Sequence, residues 1–188
     1  MTRRAIFWFR RDLRLADNPA LLAAIESSDE IVPVFILDEK LISQTGTKRL
    51  AYLAASLHSL DESLGNKLHV MVGDQVEVLS DLKKRYGATQ VHISQEYEPY
   101  GVARDARVEK AGIELIRTGS PYAVAPGRVR KPDGTNYRVY TPFYKGWVMH
   151  GWRGPAVTPT SCLPRREKSR RLSMRFPIFS TLSLITCN

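Results

Sequence analysis

The stretch AIFWFRRDLRLADNPAL, residues 5–21, joins an apolar run to a cluster of charges and then to a helix start. Ala5–Phe9 contains only apolar and aromatic residues, which is typical of a buried β-strand. Asn18 and Pro19 form a common beginning of a helix, because Asn caps the first turn and Pro lacks only an N–H that has no partner there. Three arginines and two aspartates lie between them. The stretch predicts a strand, a highly charged loop and a helix in direct succession.

The alternation of short apolar runs with longer helical patterns continues to residue 117. Repeated strand–helix units of this kind build a parallel sheet. Asp74 and Gly87 bracket one predicted helix as N-cap and C-terminal glycine. We therefore predict the α/β class, with a Rossmann-like open sheet of about five parallel strands and helices on both faces. The predicted strands are Ala5–Phe9, Ile31–Leu37, Leu68–Val72, Gln90–Ser94 and Ile113–Arg117, and the predicted helices are 19–27, 47–64, 75–86 and 101–111.

The chain changes character after the last predicted strand. Residues 118–141 are rich in Gly, Pro and Tyr and predict a long loop, which is followed by a short helix at 142–150. GWRGPAVTPTS, residues 151–161, has the composition of a linker. Residues 162–188 pass from a basic cluster to a Ser/Thr-rich apolar end without any period. We expect one domain over residues 1–150, a linker, and a tail that is disordered or read in a shifted frame.

Composition narrows the function classes. The chain is 43% hydrophobic and 25% charged, as in globular domains, and no apolar run reaches the roughly 18 residues of a membrane-spanning helix. Cys162 and Cys187 lie far apart without a neighbouring histidine, so neither a metal site nor a disulfide framework is indicated. We expect both cysteines to be reduced thiols and the protein to be cytoplasmic. The total formal charge is +9. Residues 161–188 contain six Lys or Arg and one Glu, a net charge of +5, so residues 1–160 carry a net charge of +4. This excess permits contact with nucleic acid but does not require it.

Charged residues follow several predicted strands at their carboxyl ends, where open parallel sheets bind ligands. Arg10 and Arg11 follow the first strand, Asp38 follows the second, and Glu96 and Glu98 follow the fourth. The sequence contains neither G-x-G-x-x-G after the first strand nor G-x-x-x-x-G-K-[ST], so a classical dinucleotide or P-loop enzyme is not indicated. Two interpretations are open at this point: the charges fasten the loops as ion pairs, or they face a ligand cleft.

WFRRDLRLADN, residues 8–18, closely resembles W-F-R-x-D-L-R-x-x-D-N, the opening motif of the DNA photolyase and cryptochrome family. YEPYGVARD at 97–105 and YRVYTPFYKGW at 137–147 resemble two further family segments in the same order. The resemblance covers residues 5 to about 160 and implies the N-terminal α/β domain, which holds a light-harvesting antenna chromophore. In the family, the absorbed energy passes to FAD in a C-terminal helical domain, which donates an electron that splits a pyrimidine dimer in damaged DNA.

The resemblance also implies a pigment and a set of site residues. Tyr100–Gly101 stands where folate-binding members carry Asn-Glu, so the family pattern favours a deazaflavin or FMN over folate. No catalytic residue is implied here, because the flavin domain lies outside this sequence, and we expect a truncated photolyase without dimer-splitting activity of its own. We expect Trp147 and Trp152 to pack in the domain core. The implied antenna residues are Arg10, Leu37, Asp38, Arg49, Glu96 and Glu98, with Phe35 as a wall of the apolar slot that a flat tricyclic pigment needs.

Two other functions are open. An autonomous α/β module that binds a flavin-like or nucleotide ligand would need no partner domain. A basic nucleic-acid module would place Arg128, Arg130, Lys131 and the basic tail against phosphates, and its affinity would fall steeply with salt. A retained chromophore and salt-insensitive behaviour towards DNA would separate the antenna domain from the nucleic-acid module.

Overall fold

A five-stranded sheet organises the chain, in the order β3-β2-β1-β4-β5. Every neighbouring pair is parallel, so the predicted α/β class and open parallel sheet are confirmed. The structure, a computed structural model, describes residues 2–157. The predicted tail at 162–188 and the last residues of the predicted linker lie outside the described residues. The strands are β1 (Arg4–Phe9), β2 (Glu30–Leu37), β3 (His69–Val72), β4 (Gln90–Ile93) and β5 (Leu115–Arg117).

Six helices connect or follow the strands in the described part of the chain. Five of them correspond to the predicted helices, and the short α2 after β2 has no predicted counterpart. Two predicted starts are wrong, because α5 begins at Pro99 and not at residue 101, and α6 begins at Tyr140 and not at residue 142. The helices are α1 (Pro19–Ser27), α2 (Glu39–Ile42), α3 (Thr47–Ser63), α4 (Gln75–Tyr86), α5 (Pro99–Lys110) and α6 (Tyr140–His150).

Side-chain caps fix the beginnings of several helices. The Oδ1 atom of Asn18 accepts from the backbone N–H of Leu21 at 3.1 Å, and Pro19 follows as the first helical residue. Asp74 caps α4 through the backbone N–H of Val76 at 2.9 Å, and Gly87 ends that helix at φ 63°, a left-handed conformation that glycine adopts without strain. These local signals explain why the sequence predicts α1 and α4 to the residue.

The sheet separates two hydrophobic layers because successive side chains of a strand point to opposite faces. Phe7 and Phe9 pack with α1 and α3 residues on one face, whereas Ile6 and Trp8 pack with α4 and α5 residues on the other. β3 is an edge strand and pairs only with β2, so its last residue, Val72, is 45% exposed. Burial of β3 on both faces, which its apolar sequence suggests, is not found.

Residues 118–139 form turns and loops, as predicted, and lead into α6. No residue of α6 is buried. The expectation that Trp147 and Trp152 pack in the core is wrong, since Trp147 is half-buried and Trp152 is 57% exposed. Instead, the two rings stack on each other with centroids 4.7 Å apart at the surface. Within residues 2–157, none of the helices has the length and apolar character needed to cross a membrane.

The segment after α6 returns to the first loop. The carboxylate oxygen Oδ1 of Asp17 accepts from the backbone N–H of Ala156 at 2.7 Å and from Arg153 at 2.6 Å. These hydrogen bonds lower the pKa of the Asp17 carboxyl, with the backbone N–H as the largest contribution. The charges between β1 and α1 therefore serve partly to anchor a segment that lies 136 and 139 residues away.

Candidate functional site

A cavity opens at the carboxyl ends of β1, β2 and β4. β1 and β4 are neighbours in the sheet, and the chain proceeds from them towards opposite edges. The gap between two such strands is the place where open α/β sheets bind ligands. The cavity has a volume of about 350 Å³, within the range of small-ligand sites. The lining residues are Trp8, Phe9, Arg10, Arg11, Phe35, Ile36, Leu37, Asp38, Leu41, Leu53, Gln75, Glu96, Glu98, Tyr100, Gly101 and Arg104.

Arg10 forms part of the floor of this cavity and is held by an ion pair. Its Nη1 atom lies 2.7 Å from both carboxylate oxygens of Asp105, and its Nη2 atom donates to the carbonyl oxygen of Ser94. The side chains of Arg10 and Asp105 are 7% and 2% exposed. Burial lowers the pKa of the Arg10 guanidinium, and Asp105 opposes that effect. The charge that directly follows β1 is therefore a buried pair between a strand end and α5.

Glu96 presents an acceptor to the cavity. Its Oε1 atom accepts from the backbone N–H groups of Tyr97 at 2.9 Å and Glu98 at 3.2 Å, which leaves Oε2 for a donor from a ligand. The side chain is only 6% exposed, so this carboxylate is fixed in place. The Nη1 atom of Arg11 lies 3.6 Å from Oε1 of Glu96 and 3.7 Å from Oε1 of Glu98. Arg11 therefore balances part of the negative charge at the cavity mouth.

Gly101 allows α5 to approach Glu96. A Cβ atom at this position would lie 2.1 Å from Cγ of Glu96 and 2.8 Å from its Oε2. No side chain fits in that space unless Glu96 moves. Gly101 therefore belongs to the site because its missing side chain decides where the Glu96 carboxylate can lie.

Asp38 lies at the other side of the cavity mouth. Its Oδ2 atom accepts from Gln75 at 2.7 Å and from the Tyr100 hydroxyl, while Oδ1 accepts from the backbone N–H of Lys40 at 3.0 Å and caps α2. Burial raises the pKa of Tyr100, and the hydrogen bond to Asp38 adds to this effect. The phenol thus remains a donor, and α5 is linked across the cavity to the end of β2.

Trp8 lines the cavity from below and contacts two cations. The guanidinium carbon of Arg104 lies 4.8 Å from the indole ring centroid, and that of Arg10 lies 5.3 Å from it. Arg104 also pairs with Asp105 at 2.9 Å. Two guanidinium groups and one carboxylate therefore surround an aromatic ring that is 3% exposed.

The structure brings together six of the seven predicted antenna residues. Arg49, the seventh, is exposed in the first turn of α3 and does not line the cavity. Arg130, a residue of the nucleic-acid alternative, bonds to the carbonyl oxygens of Gly127 and Gly134 and closes the turn between them. The six cavity residues are Arg10, Phe35, Leu37, Asp38, Glu96 and Glu98.

Sequence reasoning missed several cavity residues. Gln75 is the first residue of α4, and the sequence of this helix gives no sign that its first turn faces a ligand. Tyr100, Gly101 and Arg104 all fall in the YEPYGVARD segment, so their position shortly after Glu98 is a usable signal. The sequence predicts only a strand at Trp8, although alternation along that strand places it on the face that α5 covers.

Comparison with known proteins agrees with the sequence motifs. A protein-family model described as DNA photolyase matches residues 5–163. The deoxyribodipyrimidine photo-lyase of Synechococcus sp. is 33% identical over 164 residues, which cover 82% of this chain and 34% of the relative. Cryptochrome-2 of Gallus gallus is 38% identical over 122 residues, covering 60% of this chain and 21% of the relative.

Solved structures give the same result. A class III photolyase from Agrobacterium tumefaciens superposes with a TM-score of 0.76 at 33% identity, covering 92% of this chain and 38% of that chain. An archaeal photolyase from Sulfolobus tokodaii, whose structure holds two FAD molecules, gives a TM-score of 0.70 at 29% identity over 82% of this chain and 37% of that chain. The chain spans about a third of the length of the curated photolyases that it matches. It belongs to the DNA photolyase and cryptochrome family and corresponds to the N-terminal α/β domain of that family.

Proposed function

We propose that the chain is an antenna-chromophore domain and that its cavity holds a flat tricyclic pigment of the flavin class, either a deazaflavin or FMN. The observation that carries the proposal is the cavity at the carboxyl ends of β1, β2 and β4, which combines an apolar wall with a buried acceptor. When bound, such a pigment supplies absorption of blue or near-ultraviolet light.

The cavity fits a planar ligand with N–H or O–H donors at its edge. Phe35 and Leu37 at the end of β2 supply an apolar wall, and Leu41 and Leu53 extend it. Oε2 of Glu96 is available to accept from a ring N–H or a hydroxyl, as an ionised carboxylate only accepts. Glu98, which is 55% exposed, adds a second acceptor nearer to solvent.

Each polar group has a definite task in this proposal. Glu96 orients the pigment, and its own position is fixed by two backbone N–H groups and by Gly101. Asp38 and Tyr100 close one side of the mouth and exclude water from the apolar wall. Arg10 supports the floor through Asp105, which makes it a positioning residue and not a direct ligand contact.

The flavin class is preferred over folate for two reasons. Tyr100–Gly101 replaces the Asn-Glu pair that the folate-binding pattern carries, and Gly101 has no room for a side chain as long as Glu96 stays in place. The Sulfolobus tokodaii relative is described as a photolyase with two FAD molecules and with the implication of a novel light-harvesting cofactor. A relative that is 29% identical to this chain and has the same fold therefore holds flavin-type rings.

We also propose a protein partner for the surface around α6. This surface, the α6 face, contains exposed aromatic and apolar side chains that a separate domain would cover. A FAD-binding helical domain is the partner that fits a family in which this chain spans about a third of the relatives. Repair of damaged DNA would require that domain. The α6 face consists of Tyr140, Phe143, Tyr144, Val148 and Trp152.

Retention of pigment tests the antenna site. The purified chain is mixed with FMN or with a deazaflavin, freed of excess by gel filtration, and its absorption spectrum is recorded. We expect a retained chromophore in the wild type and an affinity at least about tenfold lower in Glu96→Gln, because loss of one charge-assisted hydrogen bond costs about 1.5–3 kcal/mol. Glu114→Gln, an exposed change just before β5, is the matched control and should bind as the wild type does.

Two outcomes of this experiment would contradict the proposal, and one further variant tests Arg49. A folded wild type that retains neither pigment contradicts the proposal. Equal affinities for wild type and Glu96→Gln contradict the role of Glu96. Arg49→Ala decides whether this exposed arginine reaches a ligand from the first turn of α3.

The α6 face is tested with the separately expressed helical domain of a related photolyase. Binding is measured by calorimetry, and Val148→Asp places a charge on an exposed residue of the face, one helical turn after Tyr144. We expect this change to abolish binding, because an unpaired charge would be buried in the interface. Tyr52→Asp, on an exposed position of α3, is the control. Equal binding by wild type and Val148→Asp would exclude the α6 face as the docking surface.

A further inference from the structure

We propose that Arg104, together with Arg10, protects Trp8 from oxidation by an excited flavin-type pigment in the cavity. The protection would keep the excited state long-lived, which an antenna requires. This inference rests on the proposed pigment site and deepens it, because it assigns a tuning role to residues that need not touch the pigment.

The geometry places an oxidisable ring at the cavity. Trp8 lines the cavity and is 3% exposed, so a ring bound there would lie against a desolvated indole. Tyr100 is the second oxidisable ring of the lining, and its hydroxyl donates to Asp38. Without a counteracting field, both rings are potential electron donors to an excited flavin.

The unwanted step is the transfer of one electron. The indole π system of Trp8 would give one electron to the ring system of a bound, excited pigment and would become a radical cation. No proton moves and no bond breaks, and the return of the electron dissipates the excitation as heat. Excitation lost in this way is not available for transfer to another cofactor.

Two guanidinium groups oppose this step. They lie 4.8 Å and 5.3 Å from the Trp8 ring centroid, where they stabilise the neutral ring through its π electrons. The same positive charges repel a radical cation, and this repulsion is strong because the ring is shielded from water. Asp105 neutralises one of the two charges, so the cluster of Arg10, Arg104 and Asp105 carries a net positive charge beside the ring.

Removal of Arg104 tests the inference because Arg10 and Asp105 remain as a neutral pair. The fluorescence lifetime of bound FMN is measured at saturation in a Tyr100→Phe background, which removes the second electron donor. We expect Arg104→Met to shorten the lifetime by about fivefold or more, since a full charge about 5 Å from the ring is lost. Arg104→Lys keeps the charge and should keep most of the lifetime. Lys110→Met, an exposed change on the same helix, should leave the lifetime unchanged.

Trp8→Phe distinguishes shielding from a general structural effect. Phenylalanine is much harder to oxidise than indole, so Trp8→Phe combined with Arg104→Met should restore the long lifetime. A shortened lifetime that Trp8→Phe does not restore, or an unchanged lifetime in Arg104→Met, would overturn the inference while leaving the pigment site intact. A wild type that binds no flavin overturns the proposed function, and this inference with it.

Discussion

Replacement of Gly101 by alanine tests the geometry of the cavity most directly. The new Cβ would lie 2.1 Å from Cγ and 2.6 Å from Cδ of Glu96, far inside normal contact distance. Glu96 would have to swing away from α5. Its Oε1 atom would then lose the hydrogen bonds from the backbone N–H groups of Tyr97 and Glu98, which measure 2.9 and 3.2 Å.

The expected magnitude follows from these contacts. Each hydrogen bond to a charged acceptor contributes about 1.5–3 kcal/mol. Alanine in place of glycine within a helix gains about 1 kcal/mol in the opposite direction. We therefore expect Gly101→Ala to lower the free energy of unfolding by about 2–5 kcal/mol. Pigment retention should fall at the same time, because the acceptor on Glu96 is displaced.

Urea denaturation followed by circular dichroism measures the change. Gly154→Ala is the matched control, since a Cβ there meets no atom within 4 Å. In a Glu96→Ala background the same Gly101→Ala change should cost nothing, because the side chain that it displaces is gone. The reasoning is refuted if Gly101→Ala is as stable as the wild type, or more stable.

Two further predictions concern buried charge. Asp105→Asn leaves Arg10 buried without its counter-ion and should lower the free energy of unfolding by about 3–5 kcal/mol. The control is Asp81→Asn, which removes a charge from an exposed ion pair and should change the free energy of unfolding by less than about 0.5 kcal/mol. Similar losses for the two variants in urea denaturation would contradict the stabilising role of the buried pair. Burial lowers the pKa of His92, so below about pH 6.5 the unfolded chain takes up a proton that the folded state does not, and the free energy of unfolding should fall. His92→Gln should flatten this dependence in urea denaturations at about pH 8 and about pH 5, and parallel curves for the two proteins would contradict it.

The fold was predictable because its signals are local. The N-cap at Asn18, the Asp74 cap and the left-handed Gly87 each act within one helical turn, so the sequence predicts α1 and α4 with their observed bounds. The strands follow from apolar runs that a sheet covered on both faces requires. The four-residue α2 escaped prediction because a single turn has no period that a pattern could reveal.

The site was predictable only where a strand ends. Arg10 and Asp38 directly follow β1 and β2, Glu96 lies shortly after β4, and parallel strands bring their carboxyl ends to one edge. Gln75 was not predictable, because its place at the cavity depends on which turn of a helix faces the sheet, whereas Arg104 lies in the YEPYGVARD segment at 97–105. Arg49, which the family resemblance implies and which lies in the first turn of α3, does not line the cavity.

By itself, the sequence determined the α/β class, the alternation of strands and helices, and the family, because each rests on residues that are neighbours in the chain. Only the tertiary structure decided what the charges after Phe9 do. Arg10 pairs with Asp105 across 95 residues, Arg11 balances Glu96 and Glu98, and Asp17 anchors the segment after α6. Ion pairs between distant segments depend on strand order and helix packing, which the local pattern of the chain does not contain.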